Sequence, residues 1–475
     1  MRKIYLFILS ALLMGGITSC DLDVKPNTAV TEDLLTDSTV ALGFLNSAYR
    51  NMHVFGYYGQ QMMVMGDVLA DNAEIANNTG RYVAQNANQI YAHYTFWFNA
   101  YAVINYANYA IAKTDELLNA GKIRQTTANQ IKGQALFLRA LCHFDVARAY
   151  GYEPGKEVNG WDLSAVIRTA PIKGASDAQP KPRATNTEVY AQVEQDLLEA
   201  ITLLDGFNPT DVRRRANKAA AQALLARLYL YKGDWANAET YAQDALSSTT
   251  ATISPAASVV SDWAAANVPH RESIFELDIN PGTDWSTVDG VNNSLSSLTN
   301  NYTSGNNFSV QASADLLTLL NSEGGADVRK NFWDQDTGTG FYRLRKWRGG
   351  KGGDPNCRNI PVIRYSEVLL IQAEAEARQG KDPEAQTTIN TLRSNRGLPN
   401  TSDTGSALID LIMNERRKEL MFEGHRFFDL KRLGLDIRKD DGAPLPYNDF
   451  KVLAPLSNQD IITSGNVLKQ NPGYN

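Results

Sequence analysis

Residues 414–434 read NERRKELMFEGHRFFDLKRLG and are the densest mixture of charged and large apolar side chains in the sequence. Met413, Leu420 and Phe427 recur every seven residues, which places them on one face of a helix. Charged side chains stay buried only when they are paired. The stretch is too apolar for a solvated surface and too charged for an ordinary core. It therefore predicts a helix at a junction between helices, with its charges held in a network.

Carboxylates recur at helical spacing through this stretch, from Glu415 to Glu423. Arg426 stands three residues from both Glu423 and Asp429, so we expect it to pair with them on one helix surface. An active site is the alternative interpretation, because Glu423, His425 and Asp429 stand close together. The many neighbouring Arg and Lys side chains favour the structural interpretation.

The composition is that of an ordinary globular protein. Of the 475 residues, 43% are hydrophobic and 21% are charged, and the formal net charge is −6. A nucleic-acid-binding surface would need a clustered basic excess, which this composition does not suggest. The length allows ~2–3 domains or one large helical domain with a sizeable core.

The N-terminus has the order of a secretion signal. Arg2 and Lys3 precede an apolar run over residues 4–17, and small residues then lead to Cys20. The run is too short to span a membrane, so residues 1–19 predict a signal peptide. The sequence ITSC resembles the processing site of bacterial lipoproteins, which implies cleavage before Cys20 and lipidation of its thiol. A secreted protein with an incidental cysteine is the alternative.

The next segment and the two remaining cysteines have simpler interpretations. Residues 20–37 are polar and contain proline, which predicts a lipidated tether. Cys142 lies in an apolar helical pattern and is predicted to be a core thiol, whereas Cys357 lies in a glycine-rich loop. Two such isolated cysteines give no disulfide framework, so we pair neither. No later stretch approaches the length of a transmembrane helix.

Helical periodicity dominates the rest of the chain and predicts a single, mostly α-helical domain over residues 38–475. Long helices are predicted over residues 38–53, 99–120, 127–150 and 186–204. Thr187 is the expected cap of the last of these. Residues 56–89 predict long loops around a short helix at 64–69.

An internal repeat is visible in the helical part. Residues 218–247 and 366–392 both show the tetratricopeptide pattern, in which small residues lie where two helices cross closely. The five-residue spacing from Gly233 to Ala238 recurs in the second copy. Because more than a hundred residues separate the copies, we expect no continuous peptide groove from simple stacking. The repeat face is expected to pack against a partner or to serve as internal scaffold.

A loop-rich insertion, residues 249–357, divides the helical scaffold into residues 38–248 and 358–475. It is rich in Asn, Ser, Thr, Gly and Trp, with a possible strand at 273–279 and a short helix at 313–320. Long irregular segments are more often functional than connecting segments of ordinary length.

Several ordered landmarks resemble the SusD/RagB family and together span the mature chain. These are Cys20, FWFNAYAVINYAN (residues 96–108), FLRALCHFDVARAYG (137–151), the charged stretch at 415–434, and LAPLSNQDIITSGNVLKQNPGY (453–474). The sequence departs from the family at Ala454 and Leu456, which flank Pro455 where the family commonly has Pro-Ile-Pro.

The resemblance implies a mostly α-helical fold in which tetratricopeptide-like pairs carry a loop-rich half. It implies a lipoprotein of the bacterial outer membrane that faces the cell exterior. Asp21 and Asp23 also resemble the acidic residues that follow the lipid cysteine in surface-exported lipoproteins. Such a protein binds an oligosaccharide and delivers it to a SusC-like TonB-dependent transporter, with no cofactor and no chemistry on the substrate. The family's carbohydrate contacts lie in variable loops, so none transfers by motif.

A sugar ring offers an apolar face to an exposed aromatic side chain and a polar rim to Asn, Asp, Gln or Arg. Two stretches combine these residue types, 57–82 and 285–342. The candidate glycan-binding residues are Tyr58, Arg81, Tyr82, Trp285, Tyr302, Trp333 and Tyr342. The polar residues beside them are Asp67, Asp71, Asn72, Asn301, Asn306 and Asp334. A loop aromatic more often anchors its own loop, and Trp97 and Trp235 are predicted to lie in the core.

Two other functions stay open at this point. A helical glycoside hydrolase needs paired carboxylates at a cleft, and no such pair can be singled out. The sequence contains no nucleophile-elbow, zinc-protease or phosphate-loop motif, and its five histidines are scattered. A tetratricopeptide-type scaffold for protein interaction is the other alternative. We assign no metal site: the acidic residues at 334–336 could hold a metal, but their spacing matches no known calcium loop, and whether calcium assists binding stays open.

Overall fold

The computed structural model describes residues 37–76, 80–209, 212–284, 294–300, 308–439 and 442–474. The α-helices are α1 (Ser38–Met52), α2 (Gln61–Val68), α3 (Val83–Asn86), α4 (Trp97–Asn119), α5 (Gln125–Tyr150), α6 (Asn186–Leu203), α7 (Lys218–Lys232), α8 (Trp235–Ser248), α9 (Val259–Ala264), α10 (Leu295–Thr299), α11 (Ala314–Asn321), α12 (Tyr365–Arg378), α13 (Asp382–Ser394), α14 (Gly405–Glu419), α15 (Arg426–Leu433) and α16 (Asn458–Thr463). The strands are β1 (Ala73–Ile75), β2 (Ser273–Leu277), β3 (Val310–Ala312), β4 (Trp333–Gln335), β5 (Tyr342–Leu344), β6 (Ile360–Arg364), β7 (Ile437–Lys439) and β8 (Gly442–Leu445).

The long helices form a row in which each packs against the next. Helix α1 packs on α4, and the row continues through α5, α6, α7 and α8. Helix α8 packs on α12, which also contacts α13 and α14. The predicted mostly helical fold is confirmed. Among the described helices, none combines the length and the apolar character that a membrane span requires.

The two repeat copies are neighbours in space. They correspond to α7–α8 and α12–α13, and α8 packs directly on α12. Glu239 on α8 accepts hydrogen bonds from the Lys381 ammonium and the Gln379 amide, both at 2.6 Å. The two copies therefore pack together although more than a hundred residues separate them, because the chain returns to α8 after the insertion. The expectation that they form no continuous peptide groove stays a prediction.

Helix α6 begins with a capping box. The Thr185 hydroxyl accepts from the Glu188 backbone N–H at 3.2 Å, and a Glu188 carboxylate oxygen accepts from the Thr185 N–H at 2.8 Å. The predicted cap, Thr187, is wrong by two residues, since only Thr185 has an extended backbone and a glutamate three residues later.

The insertion has a packed interior of its own. Strand β2 confirms most of the predicted strand and pairs antiparallel with β6, which leads directly into α12. Trp263 and Trp347 are buried and lie edge to face, with ring centroids 5.3 Å apart. Most of the insertion's described tryptophan and phenylalanine rings therefore serve its core rather than its surface.

The charged stretch forms two helices instead of one. Helix α14 ends at Glu419 and α15 begins at Arg426. Between them Phe422 and Gly424 adopt the left-handed backbone region, with φ of +59° and +81°. A Cβ atom on Gly424 would collide with the backbone carbonyl of Met62, so the close approach of α2 requires glycine here.

This break changes the pairs that the charged stretch forms. Arg426 donates to both carboxylate oxygens of Asp71, at 2.6 and 2.7 Å, rather than to Glu423 or Asp429. Glu423 accepts instead from Arg364 and from Lys346, whose ammonium lies 2.6 Å away. The predicted i,i+3 pairs are therefore wrong, although the predicted network is confirmed.

The network involves residues from most of the chain's length. Glu419 is shared by the guanidinium groups of Arg364, Arg396 and Arg329. Burial alone would raise the pKa of Glu419, but the charges of Arg396 and Arg364 hold it well below its usual range. These carboxylates are ionised acceptors in a framework, as the structural interpretation predicts.

The alternative active site does not assemble. Glu423 is held by Arg364, and Asp429 accepts from Arg416 at 2.8 Å and from Arg432 at 2.9 Å. Burial, reinforced by the Arg416 charge, lowers the pKa of His425 well below its usual value, so its imidazole is neutral. Both described cysteines, Cys142 and Cys357, are buried and unpaired, which confirms Cys142 as a core thiol.

Candidate functional site

Three short β-strands bring separate loops of the chain together. Strand β1 pairs antiparallel with β3, and β5 contacts β3 from the other side. The Gln311 side chain joins the three, since its amide donates to Glu74 at 2.6 Å and its carbonyl oxygen accepts from the Tyr342 N–H at 2.7 Å. We call the group of segments 80–82, 294–300, 310–312 and 342–344 the loop face; most of their residues are buried, and residues 80–81 and 342–343 are partly or fully exposed.

Arg81 lies on the loop face and is half-buried. Its guanidinium donates to the hydroxyl and to the backbone carbonyl oxygen of Ser297, both at 3.3 Å. Burial lowers the pKa of Arg81 from its ordinary value, though a guanidinium stays charged at neutral pH. The contact ties the loop before α3 to helix α10.

Tyr82 follows Arg81 and has a left-handed backbone, with φ of +59°. Its hydroxyl donates to the Gln60 carbonyl oxygen at 2.8 Å, and the Gln60 amide donates to the Ser294 carbonyl at 3.2 Å. The Tyr82 side chain is buried, and burial raises its pKa above the ordinary value. Tyr82 therefore supports the residues that precede α10 and offers little of its ring to solvent.

Tyr342 begins β5 and is half-buried, with part of its side chain packed against the core. Its backbone N–H is fixed by Gln311, and Asn300 donates its side-chain amide to the Leu344 carbonyl at 3.0 Å. The structure therefore ties β5, which Tyr342 begins, to the end of helix α10, the helix that Arg81 also contacts. Of the predicted residues that the structure describes, these two combine a position on this face with partial exposure.

Two predicted residues lie outside the described part of the chain. Trp285 precedes α10 in the sequence and Tyr302 follows it, as do the polar candidates Asn301 and Asn306. Their roles stay predictions.

Tyr58 lies in the protein core. It is 3% exposed, its ring packs against Tyr57, and its hydroxyl donates to Asp145 at 2.9 Å. Burial, together with the Asp145 charge, raises its pKa well above the ordinary value. A sugar ring has no access to this side chain, so we do not carry Tyr58 into the proposal below.

Trp333 also faces inward. It is 8% exposed and lies edge to face against Phe422, with ring centroids 5.3 Å apart. Its indole nitrogen is buried without a hydrogen-bond partner among the described atoms. The ring is better placed to support the turn between α14 and α15 than to stack under a sugar.

The polar side chains predicted at positions 67–72 bond to one another and to the charged stretch at 414–434. Asp67 and Asn72 are fully buried, and the Asn72 amide donates to Asp67 at 2.8 Å. Asn72 also accepts from Arg417 at 2.7 Å, while Asp71 pairs with Arg426. These groups hold α2 against the charged stretch and are not available to a ligand.

The acidic residues Asp334 and Asp336, where no calcium loop is predicted, are bonded to neighbouring side chains. Asp334 pairs with Arg345. Asp336 accepts from the Thr339 hydroxyl at 2.9 Å, and hydrogen bonds from Thr339 lower its pKa. Within the described ranges, no group of three or more His, Cys, Asp or Glu side chains has a geometry that could hold a metal ion.

The other tryptophans serve as packing or linking residues. Trp97 is buried as predicted, with its ring edge to face on Tyr150. Trp235 is only half-buried, and the Arg378 guanidinium lies 5.4 Å from its ring centroid. Trp161 donates its indole N–H to Asn471 at 3.0 Å.

The sequence reasoning missed the residues that organise the loop face. Gln311, Ser297, Asn300 and Gln60 hold its segments together, as described above. No periodicity or motif marks such short polar side chains. The one available signal is the excess of Asn, Ser and Gln near α10 and β3.

Two family models match the chain. Residues 22–230 match a family described as starch-binding and associating with the outer membrane, and residues 321–474 match the SusD family. The second match contains the charged stretch and the closing segment, and the first contains both long helices that carry the resemblance.

Known proteins are similar to this chain over nearly its whole length. SusD-like protein P2 from Formosa agariphila is 26% identical over 99% of this chain and 100% of its own. A crystal structure of a SusD superfamily protein from Bacteroides thetaiotaomicron has a TM-score of 0.79 and 27% identity, covering 92% of this chain and 100% of that one. A SusD superfamily protein from Bacteroides vulgatus also has a TM-score of 0.79 and 27% identity, covering 92% and 99%.

The helical row with stacked repeats, the loop face and these matches agree with one another. This chain belongs to the SusD/RagB family of glycan-binding proteins that associate with the outer membrane.

Proposed function

We propose that this protein captures an oligosaccharide on its loop face, at the outer surface of the cell, and delivers it to a SusC-like TonB-dependent transporter. The proposal rests on Arg81 and Tyr342, the two described candidates that stay partly exposed, in a chain whose N-terminal part matches a starch-binding family.

The chemistry of the loop face suits a glycan. The part of the Tyr342 ring that stays exposed would supply an apolar surface for the axial hydrogens of a sugar, and Arg81 would supply donors for ring hydroxyls. Both side chains are attached to segments that hydrogen bonds already order, so binding them to a sugar costs little additional conformational entropy. Trp285 and Tyr302 flank α10 in the sequence and remain candidates for further stacking surfaces.

A glycan array with the full chain tests the capture step. We expect retention of one class of oligosaccharide, with α-glucans as the first class to examine because of the family description. The retained glycan should stay intact after incubation. An array without any retained glycan contradicts the proposal, and release of reducing sugar favours the helical glycoside hydrolase instead.

The anchor is a separate part of the proposal. Lipidation of Cys20 would hold the body on the membrane, since each buried methylene contributes about 0.8 kcal/mol. Cys20→Ser should move the protein from the membrane fraction to the soluble fraction and leave its glycan binding unchanged. Equal membrane retention of both forms contradicts the anchor.

Delivery requires a partner. We propose that a SusC-like barrel receives the glycan, with this protein as its lid. Gentle solubilisation of the outer membrane should release the two together, and a crosslinker should join them. Recovery as a lone monomer under the same conditions, with the barrel recovered separately, contradicts the delivery step. It would leave glycan capture as the remaining function.

A further inference from the structure

A cleft of about 270 Å³, distinct from the loop face, opens along one side of helix α4. Its other walls are residues 166–181 and the segment that contains α16. None of the predicted glycan-binding residues lines it. Trp97 and Tyr101 form an aromatic wall, with ring centroids 4.9 Å apart. Half of the remaining lining residues are apolar, among them Ile104, Val166, Ile172, Pro180 and Leu468.

The wall opposite α4 is held in place by side chains of that helix. The Tyr101 hydroxyl accepts from the Val166 N–H at 2.6 Å and donates to the Val166 carbonyl at 2.9 Å. Asn105 accepts from the Ile172 N–H at 2.9 Å, and Asn108 donates to two carbonyl oxygens between those positions. The spacing of four and three residues puts these groups on one side of α4. The cleft is therefore preformed.

Other polar groups of the lining are also engaged. The Ser464 hydroxyl donates to the Ile461 carbonyl at 2.7 Å, and the Thr463 hydroxyl accepts from Gln459 at 2.9 Å. Arg168 donates to the Gln179 carbonyl at 2.8 Å. These bonds leave little capacity for the many hydroxyl groups of a sugar, because each unpaired polar group that a ligand buries weakens binding.

Two charged side chains of the cleft stand apart from this pattern. Asp460 and Lys181 both line it, and neither forms an ion pair or a side-chain hydrogen bond within the described ranges. Burial raises the pKa of Asp460. The cleft thus offers one carboxylate and one ammonium group that the protein itself does not use.

We propose that this cleft binds a small zwitterion of amino-acid size. Its ammonium group would meet Asp460, its carboxylate would meet Lys181, and its apolar body would lie against Trp97 and Tyr101. The volume agrees with this class, since pockets for drug-sized ligands run from about 300 to 1,000 Å³ and this cleft is just below that range. This site is separate from the proposed glycan function.

Calorimetric titration of the full chain with L-phenylalanine and L-leucine tests the proposal. Two matched probes each lack one charge: 3-phenylpropanoate has no amine and phenethylamine has no carboxylate. We expect at least one of the two amino acids to bind, and we expect each single-charge probe to bind about tenfold more weakly than L-phenylalanine or not at all. Binding of neither amino acid, or equal binding of all four probes, overturns the proposal.

Two substitutions locate the site. Asp460→Asn and Lys181→Gln should each weaken amino-acid binding about tenfold. Lys173→Gln, an exposed lysine on the same loop outside the cleft, should leave it unchanged. Circular dichroism melting of each variant shows that the fold is retained. Amino-acid binding that survives both cleft substitutions, or binding of glucose in place of the amino acids, overturns the assignment.

Discussion

Arg364 and Glu423 are joined by two hydrogen bonds of 2.6 and 2.8 Å, although 59 residues separate them in the chain. Both side chains are almost fully buried. Arg364 also pairs with Glu272 at 2.6 Å and with Glu419 at 3.2 Å. One guanidinium thus links β2, β6 and the turn after α14, which fixes the insertion on the helical row.

The first prediction concerns this pair. Arg364→Met removes the cation and leaves the buried charges of Glu423, Glu272 and Glu419 with less neutralisation. The free energy of unfolding, measured in urea, should therefore fall by about 3–5 kcal/mol. Lys218→Met is the control, since its partner Asp205 is 70% exposed, so that water and salt screen the pair and its loss should hardly change stability. Similar losses in the two variants would show that the buried network has no special role.

The second prediction concerns the turn between α14 and α15. Gly424→Ala should lower stability by more than about 2 kcal/mol, because its backbone is left-handed and a Cβ atom would collide with the Met62 carbonyl. Gly43→Ala is the matched control. Gly43 lies exposed on α1 with open space around it, so alanine there should stabilise by up to about 1 kcal/mol. Urea unfolding curves of both variants measure the difference, and a mild effect at Gly424 would contradict the described turn.

The third prediction is a pH dependence. Burial raises the pKa of Asp67 to about 7, and one of its carboxylate oxygens has no hydrogen-bond partner in the described part of the chain. From about pH 4 to pH 7 the unfolded chain releases this proton while the folded protein keeps it. The Asp67 contribution to stability therefore falls as pH rises, by up to about 1.4 kcal/mol per unit.

Asp67→Asn removes this titration. The stability of the variant relative to the unmodified protein should rise steadily between pH 4.5 and pH 7 and then level off. Urea midpoints at several pH values measure the trend. A difference that is constant across this range would mean that Asp67 is ionised in the folded protein throughout.

Much of the helical scaffold is predictable because its signals are local. The apolar period of 3.6 residues locates α1, α4, α5 and α6 within a few positions, and the mixture of charge and apolar groups at 414–434 predicts a buried network. The break at Gly424 is not predictable in this way, because it depends on the approach of α2 from more than 350 residues earlier.

The residues of the loop face are less predictable, because their exposure also depends on contacts that are distant in the sequence. Composition selects Arg81 and Tyr342, but it also selects Tyr58 and Trp333, whose rings lie inside. Whether an aromatic ring is exposed depends on which distant segments cover it. The adjacency of the two repeats likewise depends on the return of the chain through β6, which no local pattern indicates.

The fourth prediction tests the central claim, glycan capture on the loop face. Calorimetric titration of the full chain with maltoheptaose, or with the glycan that the array selects, measures this binding. We expect Tyr342→Ala to weaken the affinity at least tenfold. A stacked ring contributes about 1–2 kcal/mol, and its loss exposes the neighbouring polar contacts. Tyr241→Ala, at a half-exposed tyrosine on α8, should leave the affinity unchanged. Equal affinities for Tyr342→Ala, Tyr241→Ala and the unmodified protein would contradict the account.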